Sequence, residues 1–153
     1  MFFAFKNRIL HQYATRKEEL KEKLEGEACG LTSDHWTSVS TEPYITITAH
    51  HINDDWELKS DVIETKKTEE RHTGVNIATD MINAATDWKI EAEGWVHDNA
   101  KNMKSADANI KDRQPTEGTF EAVDCGAHTL QLAIKPAFTI DEAEHLIKRA
   151  RYI

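Results

Sequence analysis

The spacing of apolar residues along this chain switches repeatedly between the helical and the extended period. From Ile9 to Glu25, the residues Ile9, Leu10, Tyr13, Leu20 and Leu24 form a stripe, which predicts an amphipathic helix stopping at Gly26. Glu18–Lys21 and Glu19–Lys23 stand at helical spacing on its outer face, each pair contributing roughly a few tenths of a kcal/mol, partly offset by Glu18 against Glu22. Ala28 to Ser33 is a short apolar run that predicts a first strand, ending at Asp34. After a polar connector over Thr37 to Pro43, Tyr44 to Ile52 alternates, with Ile45, Ile47 and Ala49 on one face and Thr46, Thr48 and His50 on the other. Trp56 to Thr65 resumes the extended pattern, and Asn53-Asp54-Asp55 between the two runs has turn chemistry, so they predict an antiparallel hairpin. Lys66 to Arg71 is charged and solvated, and the helical period returns over Thr73 to Trp88, where Ile77, Met81, Ala84, Ala85 and Trp88 share a face.

The second half repeats the alternation. Ala92 to His97 predicts a fourth strand ending at Asp98, Asn102 to Lys111 a short helix, and Asp112 to Gly118, with Pro115, a loop. Phe120 to Val123 predicts a fifth strand, and His128 to Ile134 a helix interrupted by Pro136. Thr139-Ile140-Asp141-Glu142 has the capping-box form and opens a last helix running to Arg151. This order predicts an α/β layer arrangement, with residues 1–26 as an N-terminal helix and 27–153 as the core. A strand reached through a helix normally runs parallel to a neighbour in the same sheet. If the fourth strand lies beside the first, their carboxyl ends point the same way and Asp34 and Asp98 converge.

Composition narrows the picture. A chain of 153 residues is one domain by the usual prior, and 39% hydrophobic with 30% charged residues describes an ordinary, rather polar protein. No apolar run approaches the ~20 residues of a membrane helix, and Met1-Phe2-Phe3-Ala4-Phe5 is too short for a signal sequence, so the expectation is an intracellular chain with no membrane partner. The net charge of -8, from 27 acids against 19 Lys and Arg, argues against stand-alone DNA binding, because basic side chains dominate nucleic-acid affinity. Cys29 and Cys125 are too few for a disulfide scaffold and lack the spacing of a structural zinc site; reduced thiols are expected, and a single bridge stays open.

The candidate chemistry lies at the strand ends. Two converging carboxylates are the minimum for Mg²⁺ or Mn²⁺, which take oxygen ligands, and two-metal phosphoryl transfer needs at least one further acid. The competing reading makes Asp34 and Asp98 helix caps or turn residues. Cys125-Gly126-Ala127-His128 sets a thiol near an imidazole, open to zinc, to a nucleophile pair or to packing at a strand–helix turn. His50-His51 sits on a strand, where neighbours face opposite sides, so the expectation is a surface pair. His11, His72 and His145 carry no signal, and the four tryptophans are expected in the core or at its edge.

Five stretches together resemble the ribonuclease-H-like catalytic core of hAT superfamily transposases, nearest to the domesticated zinc finger BED domain-containing proteins. They are Leu31-Thr32-Ser33-Asp34-His35-Trp36-Thr37-Ser38, Tyr44-Ile45-Thr46-Ile47-Thr48-Ala49-His50, His72-Thr73-Gly74-Val75-Asn76-Ile77-Ala78, His97-Asp98-Asn99-Ala100-Lys101-Asn102-Met103 and Cys125-Gly126-Ala127-His128-Thr129-Leu130-Gln131-Leu132. The resemblance implies a ribonuclease-H-like mixed sheet, three antiparallel strands plus two added, with flanking helices and an incomplete fold. It implies that Asp34 and Asp98 match the first two acids of a DDE triad that holds Mg²⁺ or Mn²⁺, and that Cys125 and His128 match a CxxH motif near the site. The family's third acid, a Glu, lies beyond a helical insertion without counterpart here; Glu142 and Glu144 come too early. The BED finger and the dimerisation segment also have no counterpart, and Lys101 stands where the family often has a smaller residue. By this resemblance the chain is expected to be a nuclear, transposase-derived fragment, inactive alone, whose intact relatives bind DNA. The alternative is a domesticated module that binds protein or chromatin, or pairs with itself through regions lying outside this chain.

Overall fold

The computed structural model describes residues 2–68, 72–113 and 120–150. Its strands are β1 (Ala28–Thr37), β2 (Pro43–Ile52), β3 (Leu58–Lys67), β4 (Glu91–His97) and β5 (Glu121–Asp124). Its helices are α1 (Phe2–Leu24), α2 (Gly74–Trp88), α3 (Lys101–Arg113), α4 (Gly126–Ile134) and α5 (Asp141–Ala150). The strands form one mixed sheet in the order β3-β2-β1-β4-β5. β1, β2 and β3 run antiparallel, while β4 runs parallel to β1 and β5 parallel to β4. The expected mixed α/β sheet is therefore present, with the fourth strand beside the first.

One sheet face carries the core. Leu31 and Cys29 of β1, Ile45, Ile47 and Ala49 of β2 and Trp95 of β4 are buried there against Ile77, Met81 and Trp88 of α2 and Met103, Ala106 and Ile110 of α3. The period-two and period-3.6 patterns meet on that face, which is why both are visible in the sequence. α2 starts where Thr73 accepts the Asn76 N–H through its side chain, and ends at Lys89 in the left-handed region, φ 53°. Gly74 is required by packing: a Cβ there would fall 2.8 Å from the Ser105 backbone carbon, so only a bare Cα lets α2 approach α3. The opposite sheet face is open, and Val62, Val96 and Val123 are exposed on it. Hydrogen bonds stitch that face instead: Trp36 Nε1 donates to Thr46 Oγ1 (3.1 Å), which pairs with Thr65 Oγ1 (3.2 Å).

Several boundaries differ from the sequence expectation. β1 runs on to Thr37 because β2 pairs with it through Thr37↔Pro43, well past the last β1–β4 pair at Thr32↔Val96. Asp34 is thus level with the end of β4 but inside β1. β3 begins at Leu58, since Trp56 has φ 61° and its N–H closes the turn on the Asn53 carbonyl (2.9 Å). α3 takes in Asp112 and Arg113; the rest of the expected loop, with Pro115 and Gly118, lies outside the described residues, as does Arg71. Pro136 does interrupt the C-terminal helix, as a 3-10 segment over Lys135–Thr139. Thr139 donates its hydroxyl to the Pro136 carbonyl (2.7 Å), and the Asp141 and Glu142 side chains of the expected capping box lie outside the described ones.

α1 departs most. It begins at Phe2, not Ile9, and every residue from Phe5 to Arg16 is exposed. Of its apolar stripe only Leu20 and Leu24 meet the core, while Ile9 (49% exposed), Leu10 (53%) and Tyr13 (62%) do not. The pairs expected within the helix are replaced by longer reaches: Lys17 and Lys21 grip Asp87 of α2 (3.1 and 3.0 Å), and Lys23 lies 3.6 Å from Asp61 of β3. A carboxylate fixed on a neighbouring element costs these lysines no more side-chain entropy than one on the same helix, and α1 crosses within reach of it. His51, expected at the surface, is 5% exposed, because it follows Ile45, Ile47 and Ala49 on the inward face.

Candidate metal centre

The strand register sets the site. β1 and β4 are last paired at Thr32↔Val96; two residues further on stand Asp34, still on β1, and Asp98, in the turn just past the end of β4. Asp34 is exposed and alternates with Leu31 and Ser33, so it belongs to the open face, opposite Thr46 of β2. Asp98 is half-buried in the turn after β4, and its Oδ1 accepts the Ala100 N–H (3.0 Å). The turn-residue reading of Asp98 is therefore present in the structure, occupying one of its two carboxylate oxygens. Both acids act on one ring, that of His35. Burial lowers the His35 pKa and the neighbouring His72 lowers it further, while Asp98 and Asp34 pull it back up. The His35 and His72 rings lie 4.8 Å apart, and His72 Nε2 hydrogen-bonds Thr68 Oγ1 (2.8 Å).

Behind Asp98 stands a second group that the motifs do not single out. His97, 2% exposed, places Nδ1 2.5 Å from the Asp98 carbonyl oxygen and Nε2 3.1 Å from the Asp107 carboxylate of α3. Its ring packs on Trp95 with 4.5 Å between centroids, and Trp95 Nε1 donates to Ser33 Oγ (2.9 Å). Burial raises the Asp107 pKa and His97 lowers it in part. Period-two alternation is the available signal, since His97 shares the inward parity of Trp95. Next along the turn, Asn99 Nδ2 donates to Thr129 Oγ1 (2.9 Å), while Asn99 Oδ1 is a buried acceptor with no hydrogen-bond partner.

Cys125 stands at the N-terminus of α4 with no side-chain capping bond, and His128 is half-buried on the first helical turn. The Cys125 backbone ties the strand ends together, its N–H donating to the His97 carbonyl (2.7 Å) and its carbonyl accepting from both the N–H (2.9 Å) and the hydroxyl (3.0 Å) of Thr129. Among the described residues, no three of His, Cys, Asp and Glu gather as a metal would require.

Residues 32–120 match the family described as ZBED1 RNase-like domain. The chain belongs to this family. A Zea mays protein of the AC transposase type is 29% identical over 147 residues, covering 86% of this chain and 18% of that protein. The Arabidopsis thaliana zinc finger BED domain-containing protein DAYSLEEPER is 29% identical over 84 residues, covering 53% of this chain and 12% of that protein. The chain thus spans less than a fifth of the length of these relatives. As a ZBED1 RNase-like domain related to hAT transposases, its mixed sheet with flanking helices is of the ribonuclease-H-like class. The catalytic core domain of the HTLV-2 integrase, solved in complex with magnesium in a trimeric form, shares 8% identity at a TM-score of 0.37, over 72% of this chain and 67% of that one. At that score the likeness carries no weight for the ZBED1 RNase-like domain. Among its described residues no helix is long and apolar enough to cross a membrane.

Proposed function

We propose that this chain is a transposase-derived, DNA-related domain in which Asp34 and Asp98 hold a divalent cation, Mg²⁺ or Mn²⁺, without supporting strand cleavage alone. The observation that supports it is the parallel β1–β4 pairing, last registered at Thr32↔Val96, with Asp34 two residues further along β1 and Asp98 two residues further on in the turn after β4. The donors suit the ion. Hard cations take oxygen, which both carboxylates supply, and Asn99, next in sequence to Asp98, carries a buried Oδ1 with no hydrogen-bond partner among the described residues. When bound, such a cation neutralises charge on phosphate oxygens and acidifies bound water. The chain's own part is to hold Asp34 on β1, to fix Asp98 by its turn, and to keep His35 poised beside both. Two acids alone among the described residues would hold a cation weakly and would not support phosphodiester cleavage. A nuclear location and DNA as the ligand of intact relatives follow from the same kinship.

A second reading, an interaction module, is favoured by the exposed apolar residues of α1 and the open sheet face. Calorimetry separates the two. Mn²⁺ should bind once, weakly, and binding should vanish in Asp98→Asn; a native chain that takes up no Mn²⁺ would leave only the interaction module. Metal-dependent DNA nicking by the purified chain, lost in Asp34→Ala, would overturn the inactivity. Stoichiometric zinc, lost in Cys125→Ser, would move the metal centre to the CxxH pair.

A further inference from the structure

We infer that His97 and Asp107 are positioning residues, a buried relay running from α3 to the turn that carries Asp98. The role rests on the reading of Asp34 and Asp98 as a cation site. A side chain buried as deeply as His97 is costly unless both ring nitrogens find partners, and both do. The Asp98 carbonyl oxygen can only accept, so Nδ1 donates to it, at 2.5 Å. Nε2 meets the Asp107 carboxylate at 3.1 Å. Asp107 is placed by α3, one turn beyond Met103 and next to Ala106, both buried in the core. Trp95 packs on the ring at 4.5 Å and is itself anchored to β1 through Ser33, while the His97 carbonyl accepts from Cys125 (2.7 Å). The ring is thereby held on its face, at both nitrogens and along its backbone. Its hydrogen bond to the turn falls on the carbonyl of Asp98, whose carboxylate is also tied by the Ala100 N–H (3.0 Å). Removing Asp107 leaves Nε2 buried without a partner and frees the ring to turn, and the Asp98 backbone loses its fixed contact.

Groups that orient a metal ligand from behind typically contribute about 10–100-fold in metal affinity. A pair that merely fastens α3 to the sheet would change the melting temperature and leave affinity in the folded chain untouched. The test is Mn²⁺ binding to the full chain, followed by the spectroscopic signal of free Mn²⁺, well below the melting temperature of each variant. Asp107→Ala is expected to weaken binding about ten-fold or more. Asp107→Asn, whose amide can donate to the Nε2 of a ring protonated at Nδ1, keeps a partner there and should restore it toward native affinity. Asp112→Gly, which loosens α3 at an exposed position without touching the pair, should bind as the native chain does. If Asp107→Ala fails to fold, Asp107→Leu fills the same space with no polar partner for Nε2 and should show the same loss. Native-like affinity in the variant lacking a polar partner for Nε2, or an equal loss in Asp112→Gly, overturns the relay alone. A native chain that binds no Mn²⁺ overturns the cation site, and the relay with it.

Discussion

Asp98 combines roles that can be separated by substitution. Its Oδ1 closes a local turn on Ala100 N–H, a bond that an Asn side chain can also accept, while the proposed cation would need its negative charge. Asp98→Asn should therefore melt within about 0.5 kcal/mol of the native chain, as surface changes usually do, whereas Asp98→Ala should lose about 1 kcal/mol with its turn bond. Thermal denaturation followed by circular dichroism checks both; equal losses in the two variants would show that the turn bond contributes nothing. At the same scale, Cys29 is wholly buried and its thiol is pushed up to about 11, burial being the main cause and Glu27, Asp61 and Glu93 adding to it. Alkylation at pH 8 should modify Cys125 and spare Cys29 until the chain unfolds, as mass spectrometry of the two peptides would show. His97 is legible in principle, because it shares the parity of Trp95 on β4. Asp107 is not, since its partner depends on the rotation of α3 against the sheet, which no local spacing encodes.

Elements explain what periodicity can and cannot tell. The stripe on α1 marks an amphipathic helix correctly but says nothing about how far its partner extends, and from Arg16 back to Phe5 nothing among the described residues covers it. Strand lengths carry the same ambiguity: β1 is bounded by β2 rather than by β4, so the sequence pattern ends it too soon. By contrast α2 is legible almost to the residue, because Thr73, the buried stripe and the left-handed Lys89 all bear on one helix. Thr73→Ala removes the capping oxygen and should destabilise the fold by about 1 kcal/mol, with Thr73→Ser restoring it. The clamp between α1 and α2 depends on pH. Hydrogen bonds from Lys21 and Lys17 hold the Asp87 carboxyl below its usual value of 3.8, so its contribution is fully present above that value and is lost as pH falls through the lower folded pKa. Stability measured from pH 5 downward should fall less steeply in Asp87→Asn than in the native chain; parallel slopes would remove Asp87 from the clamp.

At the scale of the molecule, a strand–helix–strand crossover predicts that β4 runs parallel to a neighbour in the sheet, and the sheet order makes that neighbour β1. That rule leaves the neighbour open, so convergence of Asp34 and Asp98 is legible only as a conditional expectation. The exposed half of α1 follows from the same layered view. A free-standing helix of ~12–15 residues is marginal in water, so amides from Phe5 to Arg16 should exchange hydrogen much faster than those near Leu24. Uniform protection along α1 would mean that another surface, such as that of a second copy, covers it in solution.

The most direct test of the central claim is a Mn²⁺ titration followed by nuclear magnetic resonance of the ¹⁵N-labelled chain. One ion held by both carboxylates should broaden the amide signals around Asp34 and those around Asp98 together, at the same ion concentration, and spare those of β3. Broadening at one strand end alone, or at the two ends with different affinities, would contradict a shared cation site.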